Sequence, residues 1–423
     1  MIRHVILAAF FLSACSNVEP YLPAGPMAGA PRDAINATGT GVNDTRALTA
    51  AYNASGHEIF KRLAGAPGNM VFSPYSIGTA MAMVLSGARG DTEREMVAVL
   101  KHTLERPEIA DANAVVLAIL NGHGKAQTAP QKSARLQSAN ALMLTRAGSN
   151  GVAPSYARLL SDKFAAEIFR GVGIAEVNGW VGWRTEGKIT KLFDQLDPST
   201  ALVLVNAVYF KADWEAKFHK AATTDRDFNL SASVKVKVPT MRQRGDFRVL
   251  ARPGYRAIRL PYGVKSLAMV IVLPDTIDGA TALARRLDAT DVASLLAGTP
   301  STRSIDLGMP RFKAAFKTSL VETFRQMGMR RPFDAAQADL SGITGSAASQ
   351  MPLAIDQIVH SAVIEVDEEG TEAAAATGVS AVTASAGPLP ESFNVDRPFL
   401  FYITDDATGA ILFQGRIDDP RKA

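Results

Sequence analysis

Apolar runs separated by capping and turn residues divide this chain into elements of two periods. Ser73-Pro74 supplies an N-cap and a first-turn proline ahead of a helical run to about Leu85. Thr92-Glu93-Arg94-Glu95 has capping-box form and predicts a helix through Leu100. From Ala201 to Phe210 the chain is almost unbroken in its apolarity, which predicts a strand buried on both faces. Val234-Lys235-Val236-Lys237-Val238 alternates strictly, as a half-buried strand does. Leu267 to Leu273, Phe399 to Ile403 and Ala410 to Phe413 read as further core strands. The two patterns mix without βαβ regularity, so the expected class is α+β with many antiparallel strands.

The amino-terminal end follows another logic. Arg3 and His4 precede an apolar run from Val5 to Leu12, followed by Ser13-Ala14-Cys15. A short basic start, a short apolar stretch and small residues describe an export signal, too short to span a bilayer. Leu12-Ser13-Ala14-Cys15 resembles the bacterial lipobox, whose cysteine is lipidated and becomes the new amino terminus. Ser16 resembles the pattern sorted to an outer membrane. Residues 1–14 are therefore expected to be a lipoprotein signal peptide. Residues 15–43, rich in Pro, Gly, Ala and Asn, read as a lipidated flexible tether. Residues 44–423 form the folded body, without repeats or a second linker. The expected location is the cell envelope, with the body outside the cytoplasm.

Composition narrows the function mainly by exclusion. The 423 residues allow one to three domains, and 47% hydrophobic content is globular. Net charge is only +4, without a long basic run, which argues against a nucleic-acid partner. A single cysteine excludes a disulfide framework and a CxxC pair. No SxxK, G-x-S-x-G, HExxH or phosphate loop occurs, so no catalytic residue, metal or cofactor is expected. Asp405-Asp406 and Asp418-Asp419 lie beside turn residues and read as solvated. An exported protein lacking an active-site motif is expected to be a binder or an inhibitor, not an enzyme.

One segment stands apart. Glu368-Glu369-Gly370-Thr371-Glu372-Ala373-Ala374-Ala375-Ala376-Thr377 runs into a small, polar stretch ending at Pro390. By composition alone it is an exposed linker. Its first half resembles the reactive-loop hinge of the serpins, and other motifs follow in that family's order. Residues 69–76, Asn-Met-Val-Phe-Ser-Pro-Tyr-Ser, resemble the start of its helix B. Asn206 to Trp214 resembles the third strand of its large sheet A. Ala338 to Ile343, Val359-His360-Ser361-Ala362 and Arg397 to Ile403 fit as well. The chain is identified as a bacterial lipoprotein member of the serpin (serine protease inhibitor) family.

The resemblance implies three β-sheets, eight or nine helices and an exposed reactive loop. It implies that Ser73, Ser76, Asn206 and His360 form a shutter beneath sheet A and that Trp214 marks the breach where the loop enters. It also implies inhibition by a monomer: a serine protease cuts the loop, and the covalent acyl-enzyme is trapped as the loop inserts as a new strand. The residue types suit this. The hinge Gly370, Thr371, Glu372, Ala373, Ala374, Ala375, Ala376 lacks proline, which cannot donate to a ladder. Thr371, Ala373, Ala375 and Thr377 make one row of small side chains, with Thr371 expected to enter first. Counting from the hinge puts the reactive bond at Ala384-Ser385; counting back from Pro398 moves it near Gly387. No Lys or Arg lies between Thr371 and Asp396, which favours an elastase-like or subtilisin-like protease with a small apolar pocket. The alternatives are a non-inhibitory serpin acting as a surface binding protein and an unrelated hydrolase.

Overall fold

The computed structural model describes residues 41–123, 134–145, 151–198, 200–297, 301–345, 353–371 and 389–422. Among them the helices are α1 (Val42–Leu63), α2 (Pro74–Gly87), α3 (Gly90–Val99), α4 (Arg106–Gly122), α5 (Pro154–Phe164), α6 (Ile174–Arg184), α7 (Gly279–Arg286), α8 (Ala289–Ala297), α9 (Val321–Gln326) and α10 (Ser341–Thr344). The strands are β1 (Met70–Phe72), β2 (Ala134–Thr145), β3 (Glu167–Val172), β4 (Leu202–Asp213), β5 (Thr224–Asn229), β6 (Lys235–Arg252), β7 (Tyr255–Pro261) and β8 (Leu267–Pro274). They continue with β9 (Ser301–Pro310), β10 (Phe312–Ser319), β11 (Gln357–Val366), β12 (Gly370–Thr371), β13 (Glu391–Asn394), β14 (Phe399–Asp405) and β15 (Ala410–Ile417).

Hydrogen bonding sorts the strands into two networks. One has the order β1-β15-β14-β8-β7-β6-β9-β13, with β5 also on β6; the other runs β10-β11-β12-β4-β2-β3. Among the described residues two of the three expected sheets join in one network, because the 18-residue β6 pairs with β5 and β9 along one part and with β7 at its end.

Burial on both faces makes β4 continuously apolar. Leu202, Leu204, Val208 and Phe210 face the main core, while Val203, Val205 and Ala207 face a second core beneath Val177, Trp180 and Val181 of α6. All fourteen residues of α2 are buried. Ser73 caps this helix by accepting from Ser76 N–H at 3.0 Å, and Pro74 occupies its first turn.

Two local expectations are corrected. Helix α3 starts at Gly90 with Arg89 at its N-cap, and no side chain caps it. Thr92 does not cap that helix; its hydroxyl accepts from Asp339 N–H at 2.9 Å. Asp405 and Asp419 are buried rather than solvated, each serving a chain turn after a strand. Asp405 accepts from the amide and hydroxyl of Thr408, and Asp419 from the amide and guanidinium of Arg421.

Candidate functional site

The site is the seam between β4 and β11. Along the lower part the two strands pair directly and in parallel, from Gln357↔Val203 to Val363↔Tyr209. At the top the pairing gives way. The chain turns back after β11, and Thr371 lies between Val366 on one side and Ala212 on the other, antiparallel to both. A Cβ on Gly370 would stand 2.0 Å from the Ala212 carbonyl oxygen, so only glycine permits this approach. Thr371 is 0% exposed, and its hydroxyl meets Tyr262 Oη at 2.8 Å. Sequence reasoning expected Thr371 to enter first; it already occupies the sheet.

Trp214 anchors this end. Its ring stacks on Tyr262 with centroids 4.5 Å apart and planes 6° from parallel. Its indole N–H donates to the Asp367 carbonyl and its amide to that of Glu369, both at 2.9 Å. Beside it, the turn from Asp367 to Glu369 is held by charge. Arg311 Nε donates to Glu368 Oε1 at 2.8 Å, and Thr223 donates to the same oxygen. Lys217 and Lys220 both meet the Glu369 carboxylate. Burial alone would raise the Glu368 pKa, but the Arg311 and Thr223 bonds hold it below the ordinary value. Sequence reasoning missed Tyr262, Arg311 and both lysines, because nothing local links them to the hinge.

Further down the seam a polar row crosses four strands. Thr318↔His360, His360↔Asn206 and Asn206↔Asn140 are register partners. Ser73 N–H donates to His360 Nε2 at 3.2 Å, so the imidazole proton sits on Nδ1, which donates to Asn206 Oδ1 at 2.8 Å. Asn206 Nδ2 in turn donates to the Ser76 carbonyl at 3.1 Å and to Asn140 Oδ1 at 2.6 Å. Burial pushes the His360 pKa down to about 3, so the ring is neutral at pH 7. Ser73, Ser76, Asn206 and His360 thus converge, and Asn140 joins them. Its signal was an asparagine immediately before the apolar run Ala141 to Leu144 of β2.

Among the described residues one Ser-His-Asp grouping occurs, but its geometry cannot activate a nucleophile. Ser266 Oγ at 3.5 Å and Asp405 Oδ1 at 3.1 Å both face the same nitrogen of His123, Nε2, whereas a relay needs them on opposite nitrogens. Among the described residues, no group of three or more His, Cys, Asp or Glu is placed to hold a metal. No helix among them is long and apolar enough to cross a membrane. Cys15, Glu372, Ala373, Ala374, Ala375, Ala376, Ala384 and Ser385 lie outside the described residues.

Comparison with known proteins bears on the whole body. Residues 50–420 match the family model described as Serpin (serine protease inhibitor). Iripin-2 of Ixodes ricinus is 36% identical over 382 residues, covering 88% of this chain and 93% of that protein. Leukocyte elastase inhibitor of Bos taurus is 37% identical over 374 residues, covering 84% and 93%. The crystal structure of Serpin48 from the insect Tenebrio molitor superposes with a TM-score of 0.76 at 29% identity, covering 88% of this chain and 98% of that one. A family match across nearly the entire body, relatives above 30% identity and a shared fold agree: this chain belongs to the serpin family of serine protease inhibitors.

Proposed function

We propose that the chain is a suicide-substrate inhibitor that traps a serine protease by inserting its cleaved loop between β4 and β11. The protease serine would attack the carbonyl carbon of Ala384. The bond to Ser385 then breaks, Ser385 leaves as an amine carrying the transferred proton, and Ala384 remains esterified to the protease. Insertion drags that ester away before water hydrolyses it. The observation carrying this reading is the seating of Gly370 and Thr371 in the gap at the top of the seam. A strand continued in that register would place Thr377 opposite Asn206 on one side and His360 on the other. Ala381 would then reach Leu202, the first residue of β4. A cut after Ala384 therefore leaves enough chain to fill the seam and carries the protease roughly 45 Å, at ~3.3 Å per residue.

In this reading Ser73, Ser76, Asn206 and His360 are the shutter, joined by Asn140, and Trp214 holds the breach. The small apolar residues near the bond favour an elastase-like or subtilisin-like target, and similarity to leukocyte elastase inhibitor supports that choice. Lipidation of Cys15 would hold a monomeric inhibitor at the envelope; Cys15→Ser should shift it from the membrane to the soluble fraction. Incubation with pancreatic elastase or subtilisin tests the mechanism. A denaturant-resistant complex is expected, with the released peptide beginning between residues 383 and 387. Clean cleavage without a complex would overturn the inhibitory reading.

A further inference from the structure

Strand β6 carries six basic side chains against one acidic, a charge of +5 that exceeds the +4 of the whole chain. Linear reading hides this because the cations are spread along the strand rather than forming a run. Strand alternation gathers them: Arg242, Arg244 and Arg248 are separated by even numbers and share one face. Arg242 and Arg244 both reach one carboxylate, Asp306 on β9, at 2.7 and 3.4 Å, so a single acid serves two guanidinium groups. Asp246 is the only acid of β6 on that face. The Arg244 side chain is 74% exposed, and Arg248 is exposed too.

This face lies where the reactive loop rejoins the body. Arg244 is opposite Asp306, and Asp306 is opposite Ser392 on β13. Arg248 is opposite Thr302, four residues before Asp306 along β9. Two interstrand spacings, about 10 Å, separate these arginines from β13. Leu389, two residues before β13, is an apolar side chain 94% exposed. The expected bond lies six residues before β13 in sequence, about 20 Å of extended chain, and a protease domain about 40 Å across that cuts there is large enough to reach both.

We infer that the β6 face bearing Arg242, Arg244 and Arg248 is a second docking surface for the target protease, selecting one that is acidic beside its active-site cleft. The inference rests on the inhibitory reading above and extends the loop-borne interface onto the adjoining sheet. Charge of this kind acts mainly on the encounter rate and is screened by salt. Porcine pancreatic elastase and the same enzyme succinylated on its lysines provide matched probes that differ in charge. The wild type is expected to associate with the succinylated form about tenfold faster at low ionic strength, approaching parity near 0.5 M salt. Arg244→Glu with Arg248→Glu should abolish that preference, and the glutamine pair should remove part of it. Heat stability and cleavage position should stay unchanged. Equal rates for wild type and the glutamate pair with succinylated elastase would overturn the docking surface. If the loop is cut without trapping, the inhibitory reading fails, but the ratio of the two cleavage rates still decides the docking surface.

Discussion

Replacing Thr377 with valine tests the proposed register at one hydroxyl. In the uncleaved protein, His360 Nδ1 donates to Asn206 Oδ1 at 2.8 Å across directly paired strands. A strand inserted between them would move their strands to about 9.6 Å apart, two interstrand spacings, and break that bond. Both residues are buried, so an N–H and a carbonyl oxygen would be orphaned at about 1–3 kcal/mol each. In the proposed register Thr377 would sit between them on the core-facing side. Its hydroxyl can accept from His360 Nδ1–H and donate to Asn206 Oδ1. Thr377→Val keeps the shape and removes both bonds, so the cleaved form should lose about 2–6 kcal/mol. Guanidinium unfolding of cleaved protein should report a midpoint lower by a few tenths of a molar. The uncleaved protein should be unaffected, and Thr377→Ser should behave as wild type. A cleaved valine variant as stable as wild type would refute this register.

Thr371→Arg places a charge where the threonine is fully buried against Tyr262; it should keep the cleavage site but lose the denaturant-resistant complex, as read on a gel. Glu368→Ala leaves Arg311 and Thr223 without their shared acceptor and should destabilise the uncleaved protein by about 1–3 kcal/mol in chemical denaturation. Burial lowers the His360 pKa from 6.5 to about 3, so its stabilising contribution is complete above pH 6.5 and declines as pH falls towards 3. The loss approaches about 1.4 kcal/mol per pH unit for that one group, and His360→Gln should flatten the measured stability profile by one proton.

Legibility in the sequence followed the range over which each physical cause acts. The apolar run of β4 announced burial on two faces because every residue contributes to the pattern. The row Thr371, Ala373, Ala375, Thr377 was visible because alternation is local, and Thr371 does face the core. His360 and Asn206 could be paired only through the family resemblance, since 154 positions separate them. Asn140, Tyr262 and Arg311 were missed for the same reason: each acts through a partner distant in sequence. The buried Asp405 and Asp419 were misread because turn composition suggests surface, whereas a carboxylate that accepts amide and hydroxyl donors can be buried after a strand. The charge of β6 escaped a search for basic runs because its cations are interleaved with apolar residues.

A polar row at the seam has an energetic logic under this mechanism. Strands held only by apolar packing would lose buried area continuously as they part, without a partner waiting to restore it. Hydrogen-bonded side chains can instead exchange one partner for another. His360 would give up Asn206, and an incoming hydroxyl would take both vacancies, so the side-chain hydrogen bonds on the two sides would nearly cancel. The backbone does not cancel. Where β4 and β11 pair directly, one ladder exists; with a strand between them there are two, and the loop exchanges water for ladder partners. The drive for insertion would then come from the new ladders and the burial of Ala373, Ala375 and Thr377. The shutter would set the barrier, because His360 and Asn206 must part before Thr377 arrives. Weakening that row should therefore hasten opening without a protease, while removing Thr377's hydroxyl should weaken only the final state. The two kinds of variant separate the barrier from the drive.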